Sequence, residues 1–229
     1  YRENPALYLP MQGSEAYHQA VLPLLLGDDP AVEEGRVAVI QSLGGSGALR
    51  IGGDFLNRYY PNSTVWVSDP TWANHIDIFT GTGFHVKRYP YFDHEHLTVD
   101  FEALLAQVDE MAPFDVMILH PCCHNPTGAD LTEAEWDQLL EKLKAHQIIP
   151  FFDIAYQGFG RGIEEDIYAI RQAARLELSF LISCSFSKTF SLYGERIGAL
   201  IVRCDDREVR DNVFGQLRAT VRRNYSNPP

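Results

Sequence analysis

Residues 115–154 read DVMILHPCCHNPTGADLTEAEWDQLLEKLKAHQIIPFFDI, and their pattern decides the fold. Asp115–His120 and Ile148–Ile154 are short apolar runs of the kind that form buried strands. Between them Thr132–His146 reads as a helix, opening with a Thr-x-x-Glu capping box at Thr132 and Glu135. A strand, a helix and a second strand form a βαβ unit, whose two strands lie parallel and whose crossover is right-handed.

The same alternation extends outward in both directions. Strands are predicted at Arg36–Gln41, Thr64–Asp69, Phe84–Pro90, Ser179–Ser185 and Ile197–Arg203. Helices are predicted at Gly47–Tyr60, Trp72–Thr80, Val99–Glu110, Glu164–Arg175 and Asp206–Arg222, with Asp100 as a cap. The expectation is an α/β, three-layer domain over 36–229: a mostly parallel, seven-stranded sheet covered by helices. Residues 1–35 lack the rhythm and read as a surface segment or a reach towards a neighbour. The chain opens on Tyr1 without a methionine and stops at Pro228-Pro229, so it reads as a fragment.

Composition narrows the function. A formal net charge of -12 argues against nucleic acid and anionic membrane surfaces as partners. No apolar run approaches the roughly 20 residues of a membrane-spanning helix. Four cysteines, two of them adjacent, are not a disulfide framework for this length and favour reduced thiols in the cytoplasm.

In a parallel sheet ligands bind beyond the carboxyl ends of the strands, so the polar residues there carry the chemistry. Gln41-Ser-Leu-Gly-Gly-Ser-Gly47 joins a strand to a helix and reads either as a phosphate cradle or as a tight turn. A dinucleotide fingerprint fits poorly, because Arg50 fills the third glycine position. Ser183-Cys-Ser-Phe-Ser-Lys-Thr189 runs an apolar strand into Lys188. Desolvation there favours a free amine able to form a Schiff base, whereas a side chain that snorkels into solvent is the ordinary alternative. Asp153 ends an apolar strand as a helix cap or as the partner of a buried cation, and Tyr156 follows on the same loop. An aspartate, a phenol and a lysine at neighbouring strand ends are the groups that bind a pyridinium ring and its hydroxyl. His120-Pro-Cys-Cys-His124 lacks a second ligand pair at zinc spacing, and His94-Glu-His96 reads as a solvated loop; no metal is expected.

Six segments in order resemble the aspartate/aromatic group of class I aminotransferases. They are Leu43-Gly-Gly-Ser-Gly-Ala-Leu-Arg50, Ser68-Asp-Pro-Thr-Trp-Ala-Asn-His75, His120-Pro-Cys-Cys-His-Asn-Pro-Thr-Gly128, Asp153-Ile-Ala-Tyr-Gln-Gly-Phe159, Ser185 to Arg196, and Arg223 to Pro229. The Gly-Gly-Ser-Gly, Ser-Asp-Pro-Thr-Trp and Leu-Tyr-Gly-Glu-Arg variants look most like the bacterial aromatic (tyrosine) branch.

The resemblance implies the large domain of a fold type I transferase using pyridoxal 5'-phosphate. Lys188 is implied as the lysine that carries the cofactor and then moves the substrate proton. Asp153 is implied as the partner of the ring nitrogen, with His75 behind it. Tyr156 and Asn125 are implied at the ring hydroxyl, Trp72 on the ring face, and Gly45, Ser46, Ser185 and Arg196 at the phosphate. Trp72 and Asn125 also belong to the implied substrate site.

Two residues are implied to act across a homodimer with shared sites: Tyr8 at the partner's phosphate and Arg222 at a substrate carboxylate. The plainer readings are a surface tyrosine and a last-turn arginine that complements the helix dipole. The implied reaction moves an amino group from an aromatic amino acid, or from aspartate or glutamate, to a 2-oxo acid such as 2-oxoglutarate. The alternatives are an aspartate-specific enzyme and a non-catalytic sensor domain of a transcription regulator. Members of the group begin earlier, with an arm, and continue into a smaller domain; neither is present in this sequence.

Overall fold

In the computed structural model, which describes residues 7–228, the predicted strands assemble into one seven-stranded sheet. In chain order the elements are α1 (Glu15–Leu26), α2 (Pro30–Glu33), β1 (Val37–Leu43), α3 (Gly44–Tyr59), β2 (Thr64–Asp69), α4 (Ala73–Gly81) and β3 (His85–Pro90). There follow β4 (Phe92–Asp93), β5 (Thr98–Val99), α5 (Phe101–Gln107), β6 (Val116–Leu119), α6 (Glu133–Ala145) and β7 (Ile149–Ile154). The chain then runs through α7 (Tyr168–Arg175), β8 (Phe180–Ser185), β9 (Ile197–Arg203) and α8 (Arg207–Asn224).

Strand order is β1-β9-β8-β7-β6-β2-β3, with β3, β2, β6, β7 and β8 parallel. Strand β9 is antiparallel to both neighbours. The reason is local: residues 186–196, between β8 and β9, hold no helix, and a parallel return needs a crossover of about a dozen or more residues, usually helical. Helix α6 keeps its capping box, with Thr132 Oγ1 accepting from Glu135 N and Glu135 Oε2 accepting from Thr132 N. Asp100 and Asp206 cap α5 and α8.

Each strand presents alternate side chains to opposite faces. Phe151 packs with Leu49, Phe79 and Leu200 under α3, α4 and α8, while Phe152 packs with Trp136, Leu140 and Phe180 under α6 and α7. Asp153 has the parity of Phe151, which turns it towards α3 and α4.

Residues 15–33 depart from the expected surface segment. Helix α1 buries Val21, Leu25 and Leu26 in the main core. Asp29, which caps α2, forms a fully buried ion pair with Arg203 of β9 at 2.8 Å. Pro23, inside α1, breaks the helical pattern on which the sequence reading depends. No helix among the described residues is long and apolar enough to cross a membrane.

Candidate active site

The carboxyl ends of β6, β7 and β8, the loops after them, the start of α3 and the turn before β9 enclose a cavity of about 240 Å³. Its walls include Gly45, Ser46, Trp72, Asn125, Asp153, Tyr156, Ser185, Lys188 and Arg196. Nine residues chosen from sequence therefore meet in one place. His75 stands behind Asp153. Tyr8 and Arg222 do not join them: both are exposed, neither lines the cavity, and Arg222 is hydrogen-bonded to Ser226.

One end of the cavity suits a cation. Asp153 is buried, and its Oδ2 lies 2.8 Å from His75 Nε2; His75 is fully buried, with Nδ1 2.9 Å from Thr71 Oγ1. Burial pushes the Asp153 carboxyl up, but the His75 hydrogen bond, the charges of His75 and His120 and a contact to Ser183 together hold it below the ordinary carboxylate value. The result is an anion kept inside the protein. His120, at the end of β6, has its ring centroid 5.1 Å from that of His75, and its Nδ1 is buried with no hydrogen-bond partner among the described residues. Burial, with His75 nearby, pushes the His120 imidazole down to about 4.

The other end suits an anion. Helix α3 begins at Gly44, whose N–H donates to Arg196 O, and the next residues of its first turn, Gly45 and Ser46, carry their N–H groups to the cavity wall. Ser185 ends β8, and Ser187 Oγ accepts from Arg196 Nη1 at 3.2 Å. Gly44 has φ +67°, and an added Cβ would lie 2.5 Å from Arg196 Nη2. Gly198 allows β9 to pass close, since a Cβ there would lie 2.5 Å from both Cys184 O and Gly44 C. These two glycines let the strand end, the helix start and the guanidinium converge.

Between the two ends, Lys188 Nζ lies 5.1 Å from the centroid of the Tyr156 ring. Trp72 meets His75 edge-on at 5.3 Å. The Asn125 loop is braced by His124, which bonds Ser68 Oγ and Thr127 Oγ1 and stacks on Tyr91 at 3.8 Å. An anion pocket, an amine with a phenol beside it and a buried carboxylate on one cavity can hold a flat, doubly polar ring.

Sequence reasoning missed His120, Ala155, Ser187 and Tyr193 as cavity residues. Ser187 had a signal, its place in Ser-x-Ser-Lys beside Ser185; His120 had another, its position at a strand end. Among the described residues two groups bring three donor atoms within 4.8 Å: His75, His120 and Asp153, and Cys122, Cys123 and Asp166. The first holds the His75–Asp153 pair. In the second, the Asp166 carboxylate accepts from Gly158, Gly160 and Arg161 N–H, and burial pushes both thiols up. His94, Glu95 and His96 are exposed.

A family model described as aminotransferase class I and II matches residues 2–229. Tyrosine aminotransferase from Klebsiella pneumoniae is 60% identical over 225 residues, covering 98% of this chain and 57% of that protein. Aspartate aminotransferase from Pseudomonas aeruginosa is 48% identical over 226 residues, again covering 98% and 57%. The crystal structure of an aromatic-amino-acid aminotransferase from Burkholderia pseudomallei, described as covalently bound to pyridoxal phosphate, superposes with a TM-score of 0.97 at 49% identity. That match covers 99% of this chain and 57% of that one. The chain thus spans little more than half the length of these relatives.

Proposed function

The chain belongs to the class I and II aminotransferase family, and from that premise we propose that residues 36–229 form the cofactor-binding domain of a pyridoxal 5'-phosphate-dependent aminotransferase. The observation that carries this reading is the convergence of Asp153, held by His75, and Lys188, beside Tyr156, on a cavity that ends in Arg196 and serine hydroxyls.

The donor set fits the cofactor. Arg196, Ser46, Ser185, Gly45 and the N–H groups at the start of α3 would hold its phosphate, beside Gly44, where an added Cβ would meet the Arg196 guanidinium. Asp153, kept anionic, would pair with the protonated ring nitrogen. Tyr156 and Asn125 would hold the ring hydroxyl, and Trp72 would lie against the ring face. When bound, the cofactor supplies an electron sink for negative charge developing at the substrate Cα. Lys188 Nζ would anchor it covalently and, once displaced by the substrate amine, carry the proton between the substrate Cα and the cofactor's C4′.

The active unit of this reading is a homodimer with shared sites. Tyr8 would reach the partner's phosphate site, and Arg222 would pair with a distal substrate carboxylate there. Both are exposed and neither lines the chain's own cavity, which supports that role. The donors are aromatic amino acids together with aspartate and glutamate, the acceptor is a 2-oxo acid such as 2-oxoglutarate, and the setting is the cytoplasm, in keeping with four free thiols. The higher identity to a tyrosine aminotransferase than to an aspartate aminotransferase favours the aromatic preference. Amino-group transfer from tyrosine and from aspartate to 2-oxoglutarate, assayed on full-length protein with and without added cofactor, tests the reading. Absence of transfer from either donor would overturn it.

A further inference from the structure

The β7–β8 ladder pairs Asp153 with Ser183 and Ile154 with Cys184, and there it ends. Beyond it the two strands run into separate loops, one carrying Tyr156 and the other Lys188. Among the described residues one hydrogen bond joins these loops: Thr189 Oγ1 donates to the Gln157 carbonyl at 3.2 Å. Each partner is the immediate chain neighbour of a cavity residue, so the bond spans the gap between Lys188 and Tyr156.

Gln157 is itself anchored. It is buried, and its Nε2 donates to the carbonyls of Leu24 in α1 and Ile163 in the following loop, both at 3.0 Å. The adjoining turn is fixed by Phe159 N donating to Tyr156 O, and by Asp166, which accepts from Gly158, Gly160 and Arg161. The Gln157 carbonyl is therefore a rigid acceptor, tied to the core through α1. Thr189 is half-buried and sits in a turn where Lys188 O accepts from Ser191 N and Ser187 Oγ accepts from Arg196 Nη1.

We infer that Thr189 is a positioning residue, whose hydroxyl holds the Lys188 segment against the Gln157 carbonyl and so sets Lys188 against Tyr156. The inference rests on the reading of Lys188 as the cofactor-binding lysine. Loss of the hydroxyl lets the lysine and the phenol drift apart, which weakens the phenol's hold on the neighbouring ring hydroxyl and raises the proton affinity of the lysine-linked cofactor. The other titratable and charged groups lining the cavity, Asp153, His120, Tyr193 and Arg196, stay unchanged in the variants below.

The test is the pH titration of the visible absorption band in full-length, cofactor-loaded protein, for wild type, Thr189→Val and Thr189→Ser, with thermal midpoints recorded in parallel. Thr189→Val keeps the shape and removes the donor; its titration midpoint is expected to rise by about half a unit to one unit, the size of one neutral hydrogen bond. Thr189→Ser keeps the donor and is expected to titrate with wild type. A general loss of packing would lower the thermal midpoint without separating the two variants by titration. A Thr189→Val midpoint that stays at or below wild type, or a Thr189→Ser midpoint that moves as far as that of valine, would overturn the inference. A wild-type protein with no band that borohydride fixes onto Lys188 would instead remove the functional reading, and this inference with it.

Discussion

His75 Nε2 and Asp153 Oδ2 lie 2.8 Å apart out of solvent, and Thr71 Oγ1 holds the far ring nitrogen of His75 at 2.9 Å. A carboxylate in that setting stays charged only because it is paired. Asp153→Asn keeps the shape and removes the charge. It is expected to retain part of its cofactor and to lose on the order of 3 kcal/mol of transition-state stabilisation, more than about a hundredfold in turnover. Near-normal turnover in that variant would remove Asp153 from the mechanism.

The pH dependence of stability has a defined sign at His120. Its folded value, about 4, lies below the ordinary 6.5, so the unfolded chain takes up the proton first. The contribution of a neutral His120 is therefore complete above about 6.5 and lost as pH falls towards 4, to a total on the order of 3 kcal/mol. The depressed Asp153 value acts in the same direction at lower pH, being lost as pH falls below the ordinary carboxylate range. Urea unfolding of wild type and His120→Gln at stepped pH values measures the difference. Wild type is expected to lose more stability than the variant between pH 6.5 and 4, and equal slopes would contradict the assignment.

Much of this was legible in the sequence, for physical reasons that differ between elements. The central parallel strands β6 and β8 are fully buried, and β6 and most of β8 read as apolar runs, so Val116–Leu119 and Phe180–Ser185 stand out. Site residues at their carboxyl ends follow from the geometry of parallel sheets. Helix α1 was hidden by Pro23, and the antiparallel course of β9 is written only in the absence of a helix before it. The short β4–β5 ladder, Phe92–Val99 and Asp93–Thr98, is too small to carry a pattern. The Thr189–Gln157 and Arg203–Asp29 contacts join residues far apart in the chain, which no local periodicity records.

Gly44 combines a positive φ with direct contact to Arg196. Gly44→Ala adds backbone strain of about 1 kcal/mol and forces the guanidinium aside. The expected result is a cofactor-binding defect larger than the stability defect, seen as weaker retention of pyridoxal 5'-phosphate than of its phosphate-free form relative to wild type. Equal weakening of both forms would separate Gly44 from the anion site.

Arg222 gives a test of site sharing. Arg222→Ala is expected to lower efficiency towards aspartate by about 2–4 kcal/mol and towards tyrosine much less, since only aspartate offers a distal carboxylate. A mixed dimer of Arg222→Ala with Lys188→Ala should regain one intact site. Equal losses for both substrates, or an inactive mixed dimer, would contradict sharing.

The central claim is that Lys188 carries the cofactor, and among the four lysines of this sequence it stands apart. Lys142 donates to Leu105 O and pairs with Asp109, Lys144 donates to Leu176 O, and Lys87 lies over Trp66. Lys188 alone lines the cavity. Borohydride reduction of full-length protein loaded with pyridoxal 5'-phosphate, followed by peptide mapping, should place the label on Lys188. A label on any other lysine, with Lys188 unmodified, would contradict the account.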